Sequence, residues 1–152
     1  MEALHDVISR GPGAGGTTNG ADQSTRSADP ENPLGRELVQ VTNAMVRLHK
    51  DLFGRGPTKA RSAYAGPDTL VTTLEDGYTA AERNLIAIGE RQLVRDRRTL
   101  FRQVSERRFV EAVERITGRS VRALVSGTDG LGEVSAEIVY FEPAGDEATK
   151  DR

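Results

Sequence analysis

Two pairs of strand-like segments, each pair joined by a short turn, constrain the fold of this chain most strongly. KARSAYA and TLVTTLE flank Gly66-Pro67-Asp68, and SVRALVS and EVSAEIVYF flank GTDGLG. Short turns between β-compatible segments are typical of hairpins, whose strands pair antiparallel. In the second pair the apolar residues alternate, at Val121, Ala123 and Val125 and at Val134, Ala136, Ile138 and Tyr140. The sequence therefore predicts a four-stranded antiparallel sheet.

A helix precedes the first hairpin, and capping residues indicate where it begins and ends. Asn32 is a favourable N-cap and Pro33 suits the first helical position. Apolar residues then recur every three or four positions as far as Leu52, which predicts one apolar stripe on a helix of about five turns. Gly54 lies where a C-cap glycine belongs, and Pro57 prevents the helix from continuing.

Two more helices are predicted between the hairpins. Thr79 and Glu82 have the spacing of a capping box, and the short helix that they open stops at Gly89. A long helix over residues 90–117 ends at Gly118, and we expect its inward residues to be Leu93, Leu100, Phe101, Val104, Ala112, Val113 and Ile116. The order α-ββ-αα-ββ predicts an α+β fold in which helices pack on one face of the sheet.

The flanking segments differ in composition from this domain. Residues 11–32 contain no Val, Ile, Leu or aromatic residue. Such a segment cannot bury enough apolar surface to offset about 1–2 kcal/mol of backbone entropy per residue. We expect a disordered leader rich in Gly, Ser and Thr over residues 1–32, a single domain over residues 33–143 and a disordered tail over residues 144–152.

The composition excludes several kinds of chemistry. The chain contains no cysteine, which removes disulfides, thiolate nucleophiles and cysteine-based zinc sites. Its two histidines are His5, in the leader, and His49, which we expect to be half exposed on the first helix. Without a second histidine in the domain, neither a Ser-His-Asp triad nor a histidine metal cluster is expected. The sequence predicts no catalytic residue, metal or cofactor, and hence a protein that is not an enzyme.

The segment GRGPTKAR holds three cations just after the first helix. Its glycines and proline are explained by the helix end and the turn, and it lacks the G-K-[ST] ending of a phosphate-binding loop. Lys59 and Arg61 are two positions apart on a strand and so share one face, with Arg55 in the loop beside them. The interpretation that we favour is a solvated or salt-bridged surface. The alternative is a site for an anion or a partner.

A second basic cluster lies on the long helix. Arg91, Arg95, Arg98 and Arg102 follow the 4-3-4 spacing of one helical stripe. Such a stripe is the electrostatic footprint expected for phosphate, nucleic acid or lipid head groups. Stacking aromatic residues are scarce nearby, so a solvated helix face is the favoured interpretation and a binding surface is the alternative.

The order of the motifs resembles the MpsC family, a former domain of unknown function. The matching segments, which run from about Leu34 to Glu142, are GRGPTKAR, LVTTLEDGYTAAERNL, LVRDRRTLFRQ, RITGRSVRALVSGTD and IVYFEP. The most specific are the Gly-x-Gly-Pro junction after the first helix, the block Tyr78–Glu82 and the Thr-Gly entry to the last hairpin. Tyr78 stands where the family usually has leucine, and the leader is not part of the family pattern.

We favour an accessory protein over an enzyme, because none of the matching motifs is a catalytic signature. The family name refers to a sodium-translocating system that generates membrane potential, with a link to inorganic-carbon uptake. We expect a partner-binding domain that docks on the cytoplasmic face of a membrane protein complex. No stretch approaches the roughly 18 apolar residues of a membrane span, so a soluble, cytoplasmic protein that associates peripherally with a membrane is predicted.

Two further interpretations concern what the domain binds. Its basic residues also suit an anionic ligand or nucleic acid, although the nearly neutral charge of the domain and the acidic leader speak against nucleic acid. The apolar stripe of the first helix has a near-heptad spacing, so self-association through residues 34–53 is an alternative. Packing of this stripe on the domain's own sheet is the favoured interpretation.

Overall fold

The computed structural model describes residues 31–145, which form three helices and one four-stranded antiparallel sheet. The elements in chain order are α1 Pro33–Phe53, β1 Lys59–Tyr64, β2 Thr69–Glu75, α2 Ala80–Ala87, α3 Arg91–Thr117, β3 Val121–Thr128 and β4 Val134–Phe141. The predicted α+β class and the predicted element order are confirmed. The predicted leader (1–32) and tail (144–152) lie outside the described residues, apart from residues 31–32 and 144–145.

Capping residues define both ends of α1. The Asn32 side chain accepts a hydrogen bond from the Leu34 amide at 3.2 Å, and Pro33 occupies the first turn. Gly54 has a φ of 79°, a left-handed conformation that is open to glycine without steric cost, and its amide donates to the Lys50 carbonyl. Both ends lie where the sequence predicts them.

The two hairpins pair through their second strands. The sheet order is β1-β2-β4-β3, and the β2–β4 pair sets Leu70 opposite Val139. Both predicted hairpins are confirmed, as β1–β2 and β3–β4. This order leaves β1 and β3 as the two edge strands of the sheet.

The hydrophobic core lies between the sheet and the helices α1 and α3. Its members are Leu38, Val41, Met45, Leu70, Leu74, Phe109, Val113, Val139 and Phe141. The α1 stripe, considered above as a surface for self-association, is therefore packed on the domain's own sheet. Burial of each such apolar side chain contributes roughly 1.5–3 kcal/mol.

The alternating residues of β4 divide between two very different faces. Ser135, Glu137, Val139 and Phe141 are buried on the helix side. The opposite set, which includes Ala136 and Ile138, lies on the face that carries no helix among residues 31–145. Of the two sets of alternating residues, the more apolar set is thus the one that faces away from the helices.

The inward face of α3 differs from the prediction over its N-terminal half. Ala112 and Val113 are buried as expected and Ile116 is partly buried. The other four residues expected inside are exposed: Leu93, Leu100, Phe101 and Val104. The helix instead turns Arg98 and Arg102 inward, because buried carboxylates of α2 and β4 bind them there.

The predicted signals at the helix ends between the hairpins are confirmed. The Thr79 side chain accepts from the Glu82 amide at 3.2 Å, and the Glu82 carboxylate accepts from the Thr79 amide at 2.8 Å. This reciprocal pair is a complete capping box at the start of α2. Gly118 ends α3 with a φ of 67°.

Candidate partner-binding site

Two arginines of the predicted α3 stripe are buried in ion pairs. Arg98 is 3% exposed and donates from Nε and Nη2 to the two carboxylate oxygens of Glu82, each at 2.8 Å. Arg102 is 7% exposed and donates in the same way to Glu137, at 2.7 and 2.6 Å. The favoured interpretation of a solvated stripe is therefore wrong for these two residues, whose charges are neutralised inside the domain.

Arg98 contacts α2, the segment before it and the C-terminal end of α1. Its Nη2 also donates to the Gly77 carbonyl at 2.8 Å, and its guanidinium carbon lies 4.3 Å from the Phe53 ring centroid and 4.4 Å from that of Tyr78. Burial would raise the pKa of Glu82, but hydrogen bonds from Arg98 and Thr79 lower this pKa below its usual value. Glu82 thus caps α2 and joins α2 to α3.

The second pair extends into a network that includes His49. The histidine is 4% exposed, so the expectation of a half-exposed residue is wrong. Its Nδ1 lies 2.9 Å from the Met45 carbonyl oxygen and its Nε2 lies 3.3 Å from Oε1 of Glu137. Glu137 also accepts from the Ser126 hydroxyl. Burial would raise the pKa of Glu137, but the hydrogen bonds from His49, Arg102 and Ser126 and the Arg102 charge lower it.

The other two stripe arginines stay accessible. Arg91 and Arg95 are exposed, and neither forms an ion pair with another residue of the described range 31–145. The Arg95 stem packs against the β3–β4 turn, where its Cδ lies 3.2 Å from the position that a Cβ on Gly130 would take. These two charges therefore stand beside the turn at one end of the sheet, where a partner can reach them.

A groove separates α3 from the edge strand β3, and we call it the α3–β3 groove. Its volume is about 390 Å³. On the helix side it is lined by exposed residues that include Arg95, Thr99, Gln103 and Glu106, and on the strand side by residues 124–128. Because β3 pairs only with β4, no strand within residues 31–145 pairs with the other edge of its backbone, where the Val121 amide donates to the Glu114 carboxylate and residues 124–128 border the groove.

The three cations after α1 do not form one common site. Arg55 lies 3.4 Å from the Asp76 carboxylate, which Arg83 also contacts at 2.5 Å. Lys59 lies 3.8 Å from Glu75, its cross-strand neighbour. Within residues 31–145, Arg61 has no ion-pair partner and lies opposite the neutral Thr73.

The two predicted basic clusters lie at opposite sides of the sheet. Lys59 and Arg61 belong to the edge strand β1, whereas Arg91 and Arg95 lie near the turn between β3 and β4. These four exposed cations cannot contact one compact ligand together, although Arg55 of the first cluster and Arg98 of the second line one small pocket. Their role in binding stays a prediction, and of these four cations Arg95 lines the α3–β3 groove.

Sequence reasoning missed the buried residues that bind the two arginines. Glu137 and Ser126 were not singled out, and Glu82 was interpreted as a cap alone. One signal was present, since Glu137 interrupts the apolar segment SAEIVYF, and a carboxylate within such a strand is rarely buried without a cation. The identity of that cation depends on contacts between distant residues.

Fold and site together define a small α+β domain with an ion-paired interior and a groove beside an open sheet edge. Within residues 31–145, no cluster of side chains has the composition of a metal site, and no helix is long and apolar enough to cross a membrane. The sequence model of one family, described as "Na+-translocating membrane potential-generating system (MpsC)", matches residues 36–142. The chain belongs to the MpsC family. Searches of curated proteins and of solved structures gave no match.

Proposed function

We propose that this domain is a non-enzymatic accessory protein that binds an extended segment of a partner in the α3–β3 groove. One observation carries the proposal: the outer edge of β3 is unpaired and borders a groove of about 390 Å³. Extended peptides add to such sheet edges through main-chain hydrogen bonds, and adjoining pockets select alternate side chains. A helix beside the edge, here α3, supplies those pockets.

The charges of the groove suggest what the bound segment contains. Arg95 lies toward one end, with Arg91 one turn before it, and Glu106 lies toward the other end. From Arg95 to Glu106 the helix rises about 16 Å, the length of roughly five extended residues. We expect an acidic side chain of the segment at the Arg95 end. Such complementarity orients and accelerates docking more than it adds affinity.

The family description suggests the class of partner. It names a sodium-translocating system that generates membrane potential. We therefore propose that the segment belongs to a membrane protein of such a system and lies at its cytoplasmic face. A link to inorganic-carbon uptake stays an expectation from the resemblance.

The buried carboxylates support a role other than catalysis. Glu82 and Glu137 each accept two hydrogen bonds from one arginine, and both have lowered pKa values. A general acid or base needs a pKa near the working pH and access to substrate. Neither residue meets these requirements, since both side chains are buried.

Site-specific cross-linking in the native cell tests the proposal. A photoreactive phenylalanine would replace Thr99, which lines the groove, or Asn43, which is exposed on α1 and serves as the matched control. We expect the Thr99 variant alone to cross-link to one segment of a membrane protein. The proposal fails if both variants give the same products, or if Thr99 cross-links to nucleic acid.

Charge reversal tests the electrostatic part. We expect Arg91→Glu with Arg95→Glu to lower the yield of the Thr99 cross-link several-fold, and added salt to lower it in the unsubstituted protein. Arg36→Glu, at an exposed arginine of α1, is the matched control and should leave the yield unchanged. Equal losses for both variants would show a general charge effect rather than recognition in the groove.

A further inference from the structure

The N-terminal half of α3 presents a row of exposed apolar side chains. The exposed fractions are 52% for Leu93, 58% for Leu100 and 74% for Val104, with Phe101 beside them. Together with Arg97, the row has the 4-3-4 spacing of a seam through which helices pair. We call Leu93, Arg97, Leu100 and Val104 the α3 seam. A row of exposed apolar side chains of this kind marks an interaction site more often than an isolated exposed leucine does.

The charges beside the seam indicate what covers it. Both signs are present there: Glu90 and Asp96 lie toward the start of the helix, and Arg108 and the exposed ion pair of Arg107 with Glu111 lie further along. An anionic membrane surface would attract the arginines but repel the carboxylates, and a partner of single charge would also meet like charges. A second copy of this chain carries the same mixture and can match each charge with its opposite.

We propose that the α3 seam pairs antiparallel with the α3 seam of a second copy. A two-fold axis between residues 98 and 99 places Leu93 opposite Val104 of the second copy and Leu100 opposite Arg97 of the second copy. The same axis sets Glu90 opposite Arg107 of the second copy, so an ion pair closes each end of the apolar contact. The contact is isologous and closes with two copies.

Arg97 is compatible with this arrangement. Its guanidinium carbon lies 5.5 Å from the centroid of the Phe101 ring, so the charge already rests at the side of the row. The aliphatic stem of an arginine packs on apolar surface while its head stays in water. Leu100 of the second copy would contact this stem.

Other registers bring like charges together. A parallel pair would set Arg97 opposite Arg97 and Arg107 opposite Arg107 of the second copy. An antiparallel pair shifted so that Leu100 meets Val104 would place Arg97 opposite Arg107. Like charges directly opposite one another are destabilising, so these alternatives are disfavoured.

The seam and the α3–β3 groove lie on different sides of α3. Thr99 and Gln103 line the groove, whereas Leu100 and Val104 point away from it. The helix from Glu90 to Arg107 is about 26 Å long. One helix pair of this length buries less than the roughly 800 Å² per partner of a standard interface, so we expect a concentration-dependent dimer.

Cysteine cross-linking of the full chain tests the register, because the chain has no cysteine of its own. We expect an equal mixture of Glu90→Cys and Arg107→Cys to form a disulfide-linked dimer on oxidation. Either variant alone should remain monomeric, because in this register residue 90 lies far from residue 90 of the second copy. Efficient cross-linking of Glu90→Cys with itself, or none in the mixture, would overturn the proposal.

Sedimentation of the unoxidised protein provides an independent test. We expect Leu100→Glu to abolish the dimer, and Val39→Glu, at an exposed apolar residue of α1, to leave it intact. Glu90→Arg and Arg107→Glu should each weaken the dimer several-fold, and the two together should restore it. A monomer at every concentration would refute self-association. Binding to anionic vesicles that Leu100→Glu abolishes, without a dimer, would assign the seam to a membrane instead.

Discussion

At the scale of single residues, the unusual feature is a pair of arginines buried by carboxylates from other elements. Arg98 and Arg102 occupy positions on α3 that apolar residues commonly take. A buried ion pair is often no more stabilising than an apolar pair, but loss of one partner leaves an uncompensated charge inside the protein. We therefore interpret these pairs as determinants of which side of α3 turns inward.

Breaking one of these pairs should lower the free energy of unfolding strongly. We expect Arg98→Met to lower the free energy of unfolding by about 3–5 kcal/mol, because Glu82 would stay buried without its cation. Lys59→Ala removes an ion pair that is largely exposed and should cost about 1 kcal/mol or less. Urea unfolding measures both, and equal losses would contradict a special role for the buried pair.

The buried carboxylates also predict how stability depends on pH. The folded-state pKa values of Glu82 and Glu137 lie below the ordinary value. Their contribution is therefore full above an unfolded-state pKa of about 4.3 and is lost as pH falls through the folded pKa. We expect urea unfolding to show falling stability below about pH 4.3, with a shallower slope in Glu137→Gln.

Two results would bear on this interpretation directly. An unchanged slope in Glu137→Gln would mean that other carboxylates with lowered pKa values, such as Asp76 and Glu133, dominate the acid response. If Glu137→Gln does not fold, Glu82→Gln provides the same comparison, because Glu82 also has a lowered pKa.

The structure also predicts a shifted pKa for the phenol of Tyr64. Burial and the hydrogen bond that Tyr64 donates to Glu37 at 2.6 Å raise its pKa to about 12. A raised pKa contributes stability below the unfolded value of about 10, and this contribution is lost as pH rises through 12. In an alkaline titration followed by absorbance, the unsubstituted protein should show one more tyrosine that ionises late than Tyr64→Phe does. An identical titration in the variant would contradict the assignment.

At the scale of elements, the helix and hairpin boundaries depend on local chemistry and were predictable for that reason. A capping side chain, a proline in the first turn or a left-handed glycine acts within a few residues of its own position. The capping box of Thr79 and Glu82 and the C-cap at Gly118 are examples. The inward face of α3 was not predictable in this way, because apolar spacing indicated Leu93 and Leu100.

A glycine substitution tests the element boundaries. Gly54 has a positive φ, so we expect Gly54→Ala to lower the free energy of unfolding by about 1–2 kcal/mol, although nothing lies within 4 Å of the added Cβ. Gly127, in β3, has equal space but no positive φ. Gly127→Ala should therefore be neutral or stabilising by up to about 1 kcal/mol. Thermal unfolding compares the two, and similar effects would contradict the conformational argument.

At the scale of the whole molecule, the strand order decides which surfaces are available. Joining the hairpins through β2 and β4 places those strands at the centre of the sheet and leaves β1 and β3 at the edges. The predicted cations Lys59 and Arg61 lie on one edge strand, and the α3–β3 groove lies beside the other. The sequence identified Arg91 and Arg95 as candidates, but only this order places them near a groove.

Hydrogen exchange tests the strand order. We expect the amides of β2 and β4 to exchange slowest, because both edges of these strands are paired and their inward residues are buried. About half of the amides of β1 and of β3, those that point to the open edges, should exchange fastest among the strands. Uniform protection across the four strands of the isolated monomer would contradict an open β3 edge.

The sequence by itself determined the types, limits and order of the elements, the α+β class and the family resemblance, because the signals for these act between near neighbours. The tertiary structure decided the strand order, the inward face of α3 and the burial of His49. These depend on pairs distant in the chain, since Arg98 and Glu82 are 16 residues apart and Arg102 and Glu137 are 35 apart. An arginine in the sequence signals a charge, and only its three-dimensional neighbours decide whether that charge faces water or a buried carboxylate.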